Sequence, residues 1–202
     1  MSQKPNIAIL ILAAGDSSRM GTPKQLLKWK NTSLLGHAIE TAKKSNTSKI
    51  CVILGANYYL INAKINNYEV EVLVNESWKK GLGNSIAFGV NHVLKEDTNF
   101  DAVIVMLADQ PLIESVYLNK VLDTYEMGKR QIIATSYKRG KQGVPVLFDA
   151  IYLEELSQLN DDKGAKGILQ KYSKNVLAIN ADNRVSDIDT LEDYKRLYND
   201  NH

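Results

Sequence analysis

Two cations, Arg19 and Lys24, stand in a stretch of small and hydroxyl residues, LAAGDSSRMGTPKQLL (12–27), at the end of an apolar run. A loop of that kind suits an anion. Small residues let backbone N–H groups come close, and fixed positive charges complete the neutralisation. The spacing matches neither common phosphate loop. Gly15 and Gly21 are one residue too far apart for G-x-x-x-x-G-K-[ST], and Lys24 is followed by Gln25, not by Ser or Thr. The dinucleotide pattern G-x-G-x-x-G is absent too. Arg19 and Lys24 together could neutralise a triphosphate; an ordinary loop with surface cations is the other reading.

Asp109, in MLADQPLI (106–113), places a carboxylate at the end of a strand-like run that Pro111 stops. Such a carboxylate is costly unless it is paired or holds a metal. Magnesium takes one or two carboxylates plus phosphate oxygens, so Asp109 is a candidate ligand. The alternative, an N-cap, is disfavoured because the next helix is expected to start at Ser115. WKKGLGNSIAFG (78–89) supplies Gly81 and Gly83 for close backbone approach and Asn84 or Ser85 as a helix cap. In VSDIDTLEDYKRL (185–197), Asp187 and Asp189 alternate in an extended segment, which turns both side chains the same way. Thr190 and Asp193 have the spacing of a capping box, which explains a helix start but gives the two aspartates no role.

A scaffold must bring these stretches together. NIAILILAAG (6–15), KICVILGA (49–56), EVEVLVN (69–75) and DAVIVMLAD (101–109) read as buried strands. Helical patterns over 33–45, 57–67, 84–97 and 115–128 alternate with them, the first with Ser33 as N-cap and lysines in its last turn. A strand over 131–137, a hairpin in YKRGKQGVPVLF and a helix near 149–159 follow. The polar break NDDKGAKG, a strand over 175–180 and an amphipathic helix from about Leu191 to Tyr198 complete the chain. This alternation predicts an α/β fold, a mostly parallel sheet with helices on both faces. Residues 1–202 show no linker or repeat, so one domain is expected. Ligands of such sheets bind beyond the carboxyl ends of the strands, here Gly15, Gly55, Asn75 and Asp109.

Composition narrows the partners. The net charge of +2 argues against a dedicated nucleic-acid binder. No apolar run approaches the ~20 residues that span a bilayer. The N-terminus lacks a signal-peptide cleavage site, and one cysteine, Cys51, forms no intrachain disulfide, so a cytoplasmic protein is expected. His37, His92 and His202 have no metal-site spacing. Cys51, Trp29 and Trp78 read as packing residues.

The four stretches, in this order, resemble the nucleotidyltransferases of the molybdenum-cofactor type, and most of all their cytidylyltransferase branch. LAAGDSSRMGTPK is similar to that family's L-A-A-G-x-S-x-R-M-G-x-x-K signature. GLGNSI, LADQPL, GVPVLF, DDKGAKGIL and DIDTLEDY resemble its later blocks. Val144, Asn84 and Ala108 depart from its usual residues. The resemblance implies a Rossmann-like three-layer fold of the nucleotide-diphospho-sugar transferase type. It implies transfer of CMP from CTP to the terminal phosphate of a molybdopterin-type cofactor, with Mg2+, and a molybdenum hydroxylase as possible partner. Leu12, Ala13, Ala14 and Gly15 would cradle the triphosphate. Arg19 would hold its outer phosphates and Lys24 the α-phosphate. Gly81, Gly83 and Ser85 would face the nucleoside. Asp109 would hold the metal, with Asp187 or Asp189 as second carboxylate. Lys163 and Lys166 are candidates for the acceptor's phosphate, a solvated loop being the other reading. Two other functions stay open: a guanylyl- or sugar-phosphate nucleotidyltransferase, and a non-catalytic carrier of the cofactor.

Overall fold

The computed structural model describes residues 4–137, 140–181 and 186–202. Residues 138 and 139 of the expected hairpin and Val185 of the fourth motif lie outside them. In chain order the strands and helices are β1 (Ile7–Leu12), β2 (Lys28–Trp29), β3 (Thr32–Ser33), α1 (Leu34–Lys43), β4 (Lys49–Leu54), α2 (Tyr58–Ile65), β5 (Glu71–Val74) and α3 (Leu82–Leu94). They continue with β6 (Ala102–Leu107), α4 (Ser115–Thr124), β7 (Ile132–Ser136), β8 (Gln142–Asp149), α5 (Leu153–Leu156), α6 (Lys166–Lys171), β9 (Val176–Asn180) and α7 (Leu191–Asn201).

Seven strands form one sheet in the order β5-β4-β1-β6-β8-β7-β9. β8 runs antiparallel to β6 and β7, and the other pairings are parallel. The expected mostly parallel α/β sheet is therefore present. β1 lies inside it, third in that order, with every residue buried. Its alternate side chains explain the three layers. Ile7, Ile9 and Ile11 pack with α1, α2 and α4 on one face. Ala8, Leu10 and Leu12 pack with α3, α5 and α6 on the other. Burying one such Ile or Leu contributes roughly 1.5–3 kcal/mol. A strand covered on both faces therefore reads as an unbroken apolar run.

Helix ends follow their chemistry. The Ser33 side chain accepts from the Gly36 N–H at 3.1 Å, the expected N-cap. Thr190 and Asp193 form the expected capping box at the start of α7. The structure also corrects boundaries. α3 begins two residues before Asn84, so neither Asn84 nor Ser85 caps it; Gly81 precedes the helix. The helix expected over 149–159 is a 3-10 turn at Ala150–Tyr152 followed by the single turn α5. The polar break ends inside α6, which its glycines hid. β2 and β3, two residues each, are too short for a periodic pattern.

Candidate active site

β1, β4, β5 and β6 end at one rim of the sheet, where a cleft of about 390 Å3 opens. Leu12, Ala13, Ala14, Gly15, Lys24 and Asp109 line it together with Gly81 and Ser85. Eight sequence-predicted residues thus share one cavity.

The loop after β1 is held by its own side chains. Ser17 adopts a left-handed backbone (φ 56°), and its hydroxyl accepts from the Lys24 N–H at 3.0 Å. Gln25, buried to 3% exposure, donates to the carbonyls of Ala13 (2.9 Å) and Gly15 (2.8 Å). With these carbonyls engaged, the turn is fixed around the cleft. Gln25 is a site residue that the motif reading passed over; its place beside Lys24 was the available signal.

At the cleft floor the Lys24 ammonium contacts the Asp109 carboxylate, donates to the Ile188 carbonyl at 3.1 Å and lies 3.7 Å from Asp189. Burial pushes the Asp109 carboxyl above the usual range, Lys24 pulls it back, and Asp187 and Asp189 add to the rise. Its second oxygen, Oδ1, is buried without a hydrogen-bond partner. Asp109 itself lines the cleft, and a carboxylate with one unpaired oxygen there could hold a divalent cation. The Ile188 N–H donates to the Asp109 carbonyl at 3.2 Å, and Ile188 is buried with Met20, Trp29 and Leu34. This anchor brings the segment 186–190 to the cleft.

The two aspartates beside Ile188 diverge in role. Asp189 reaches Lys24 and, at 3.5 Å, the exposed Arg19. Asp187 instead accepts from the Gln110 amide at 2.7 Å and lines a second cavity of about 320 Å3. That cavity meets the first at Leu82 and Leu107 and carries Lys141, Lys163 and Lys166. Gln110 also donates to the Tyr137 hydroxyl at 3.1 Å, while its carbonyl oxygen is buried and unpartnered. Burial pushes the Tyr137 hydroxyl up to about 12, so it stays a neutral donor.

Gly83 is placed differently from its expected role. Its N–H donates to the Asp161 carbonyl at 2.7 Å, and a Cβ there would stand 2.8 Å from that oxygen. At Gly81 (φ 108°) a Cβ would stand 2.6 Å from the Asp162 Cα. Both glycines seat the 160–165 loop between the two cavities; only Gly81 also lines the cleft. Trp78 lines the cleft as well, packed over Gly55. His37 is a satisfied core residue, its Nε2 3.0 Å from the Pro111 carbonyl, with burial holding its pKa down.

The MobA-like NTP transferase domain matches residues 9–176. The chain belongs to this family. Among curated relatives of the MobA-like protein, nicotine blue oxidoreductase of Paenarthrobacter nicotinovorans is 27% identical, the match covering 96% of this chain and 97% of the relative. Purine catabolism protein PucB of Bacillus subtilis is also 27% identical, over 95% and 96% of the two chains. Among solved structures, Rv0371c from Mycobacterium tuberculosis H37Rv superposes with a TM-score of 0.82 at 28% identity, over 98% of this chain and 100% of that one. The fold and the MobA-like membership support nucleotidyl transfer as the general activity, a chemistry that commonly uses a divalent metal. No helix among the described residues is long and apolar enough to cross a membrane.

Proposed function

We propose that this protein transfers CMP from CTP to the terminal phosphate of a molybdopterin-type cofactor and releases pyrophosphate. The observation that carries the reading is the Asp109 carboxylate, paired with Lys24, with one oxygen buried and unpartnered, on the wall of a cleft bounded by the loop after β1. An oxygen of the acceptor's phosphate attacks the α-phosphorus of CTP. The bond from that phosphorus to the β-bridging oxygen breaks, and pyrophosphate leaves with the electron pair. No general base is required, since a phosphate monoester is largely ionised at pH 7. Positioning and charge neutralisation supply most of the catalysis of such transfers.

The residues divide that work. Backbone N–H groups of the loop beyond Ala13, whose own N–H donates to the Ile53 carbonyl, bind the triphosphate, and Arg19 holds its outer phosphates from the rim. Lys24 turns from Asp109 to the α-phosphate and stabilises the charge that develops there. Asp109 would hold Mg2+, with Asp187 or Asp189 as second carboxylate, and the ion would neutralise phosphate charge. Ser85 and Gly81 face the nucleoside. The second cavity receives the acceptor, whose phosphate Lys163 and Lys166 neutralise and whose ring donors meet Gln110 and Asp187. The choice of CTP, of this acceptor and of a molybdenum hydroxylase as recipient rests on the motif resemblance. The protein acts as one domain in the cytoplasm.

Pyrophosphate release tests the proposal, with CTP or GTP, Mg2+ and purified molybdopterin as acceptor. Turnover with CTP is expected. Preference for GTP would make it a guanylyltransferase. Tight cofactor binding without turnover would make it a carrier. Oxidoreductase activity without pyrophosphate release, the activity that one relative's name gives for that protein, would replace transfer with redox chemistry.

A further inference from the structure

A second charged cluster lies away from the cleft, toward the amino ends of β4 and β5. Cys51 is the third residue of β4, Glu71 opens β5, and His92 lies in the last turn of α3, which runs back along the sheet. Ligand atoms of Cys51, Glu71 and His92 all lie within 4.8 Å of one another. The His92 Nε2 is 2.9 Å from a Glu71 oxygen and 3.3 Å from Glu96 Oε1. The Cys51 Sγ lies 3.8 Å from Glu71 Oε2. Sequence spacing hid this set, because its members come from two strands and a helix.

We propose that Cys51, Glu71 and His92 bind a zinc-class divalent cation. One sulfur, one imidazole nitrogen and one carboxylate oxygen form a mixed three-ligand donor set of the kind that zinc accepts with its fourth position open. Magnesium and calcium, which take oxygen ligands, do not fit it. The geometry points to a ligand. The buried His92 Nε2 lies 2.9 Å from a Glu71 oxygen, while Glu96 Oε1 is taken by the Lys49 ammonium at 2.6 Å. The fully buried Cys51 donates its S–H to Glu71 Oε2, which turns the sulfur toward the same carboxylate that faces the imidazole.

Lys49 occupies part of the cluster, 2.7 Å from Glu71 and 2.6 Å from Glu96. Its ammonium is the charge that the two carboxylates require when no metal is bound. Its stem is flexible and partly exposed, so it can withdraw toward solvent. A divalent ion with one thiolate and one carboxylate is neutralised, and Lys49 continues to neutralise Glu96 from the rim. The metal-free Cys51 sulfur carries a proton, which it donates to Glu71 Oε2 at 3.8 Å. Binding forms the sulfur–metal bond and releases that proton to solvent.

Cobalt(II) titration of the chelator-stripped full-length protein tests the site. Cys51 is the only cysteine in the chain, so a thiolate-to-cobalt absorption band in the near ultraviolet reports on it alone. One equivalent of cobalt producing this band, displaced by one equivalent of zinc, is expected. Cobalt at the oxygen-rich nucleotide cleft gives no such band. Lys49→Met, which removes the competing ammonium, should tighten binding about tenfold, in line with the effects of groups around metal ligands. His92→Gln should weaken it by a similar factor while keeping the band. Absence of the band in both the wild type and Lys49→Met would overturn the proposal and leave the cluster an ion-pair network.

Discussion

Lys24 and Lys49 each stand among carboxylates, yet their surroundings oppose one another. Lys24 sits at the carboxyl ends of the strands, where its main partner, Asp109, is nearly enclosed beside a cleft and has one oxygen without a hydrogen-bond partner. Lys49 sits toward the amino ends, between Glu71 and Glu96, beside a sulfur and an imidazole. The first set offers only oxygen donors and lies against the loop after β1. The second mixes sulfur, nitrogen and oxygen and has no such loop. Nearly the same charges thus suit different ions, an oxygen-seeking cation carrying a triphosphate in one place and a zinc-class ion in the other. Donor type and neighbouring backbone, more than charge, separate the two.

Asp109→Asn should break the comparison most severely. Loss of a metal ligand worth several kcal/mol to the transition state predicts a fall of about 10²–10³-fold or more in Mg2+-dependent turnover. The fold should survive, and the sign of the pH effect says why. The folded carboxyl pKa is raised by burial, with Asp187 and Asp189 adding to the rise against Lys24, so ionising Asp109 costs stability as pH rises through that value. The Asn variant lacks this cost, and its thermal midpoint should vary less with pH. A thermal midpoint that varies with pH equally in the metal-free wild type and in Asp109→Asn would place this ionisation elsewhere.

Next in size is the contrast between the two cations of the loop after β1. Lys24→Ala should lower kcat by about 10²–10³-fold, as removal of one group stabilising developing charge does. Arg19→Ala should act mainly on CTP binding, because outer-phosphate contacts change less in the transition state. Steady-state kinetics with the two variants separates the effects; equal losses in binding alone would leave Lys24 a grip and nothing more. Gln25→Leu should unlatch the loop carbonyls of Ala13 and Gly15 and raise KM for CTP about tenfold, at a cost of 1.4 kcal/mol. An unchanged KM would mean that the loop holds its shape without this side chain.

Lys49→Met should show the smallest effect, turnover within about twofold of wild type and stability within about 1 kcal/mol, since the pair is partly exposed. Chemical denaturation and the pyrophosphate assay together check it. A large loss of turnover would couple the two clusters, against their separation in the fold.

How much was legible in advance follows from length and locality. β1, β4 and β6 are six-residue strands buried inside the sheet, so their apolar runs were plain. Ser33 and Thr190 announced their helices through side chains that act within three residues. The place of β8 between β6 and β7 was not visible, because strand order arises from tertiary pairing. Within the site, Lys24 and Asp109 were found from loop position and from the cost of a buried carboxylate. Gln25 and Gln110 were missed, since a neutral amide declares its partners only once the chain has folded. Gly81 and Gly83 were noticed for the right property, the lack of a Cβ, but the close neighbour is the turn at Asp161 and Asp162. His92 and Cys51 looked isolated because nothing local joins a strand to the far end of a helix.

The central claim is that Asp109 and Lys24 separate to receive a metal–triphosphate. Manganese(II) binding, followed by loss of the free-ion paramagnetic resonance signal with and without CTP, tests it most directly. The account predicts that CTP and manganese each tighten the other's binding in the wild type, and that Asp109→Asn abolishes this coupling. Equal manganese affinity with and without CTP, or coupling that persists in Asp109→Asn, would contradict it.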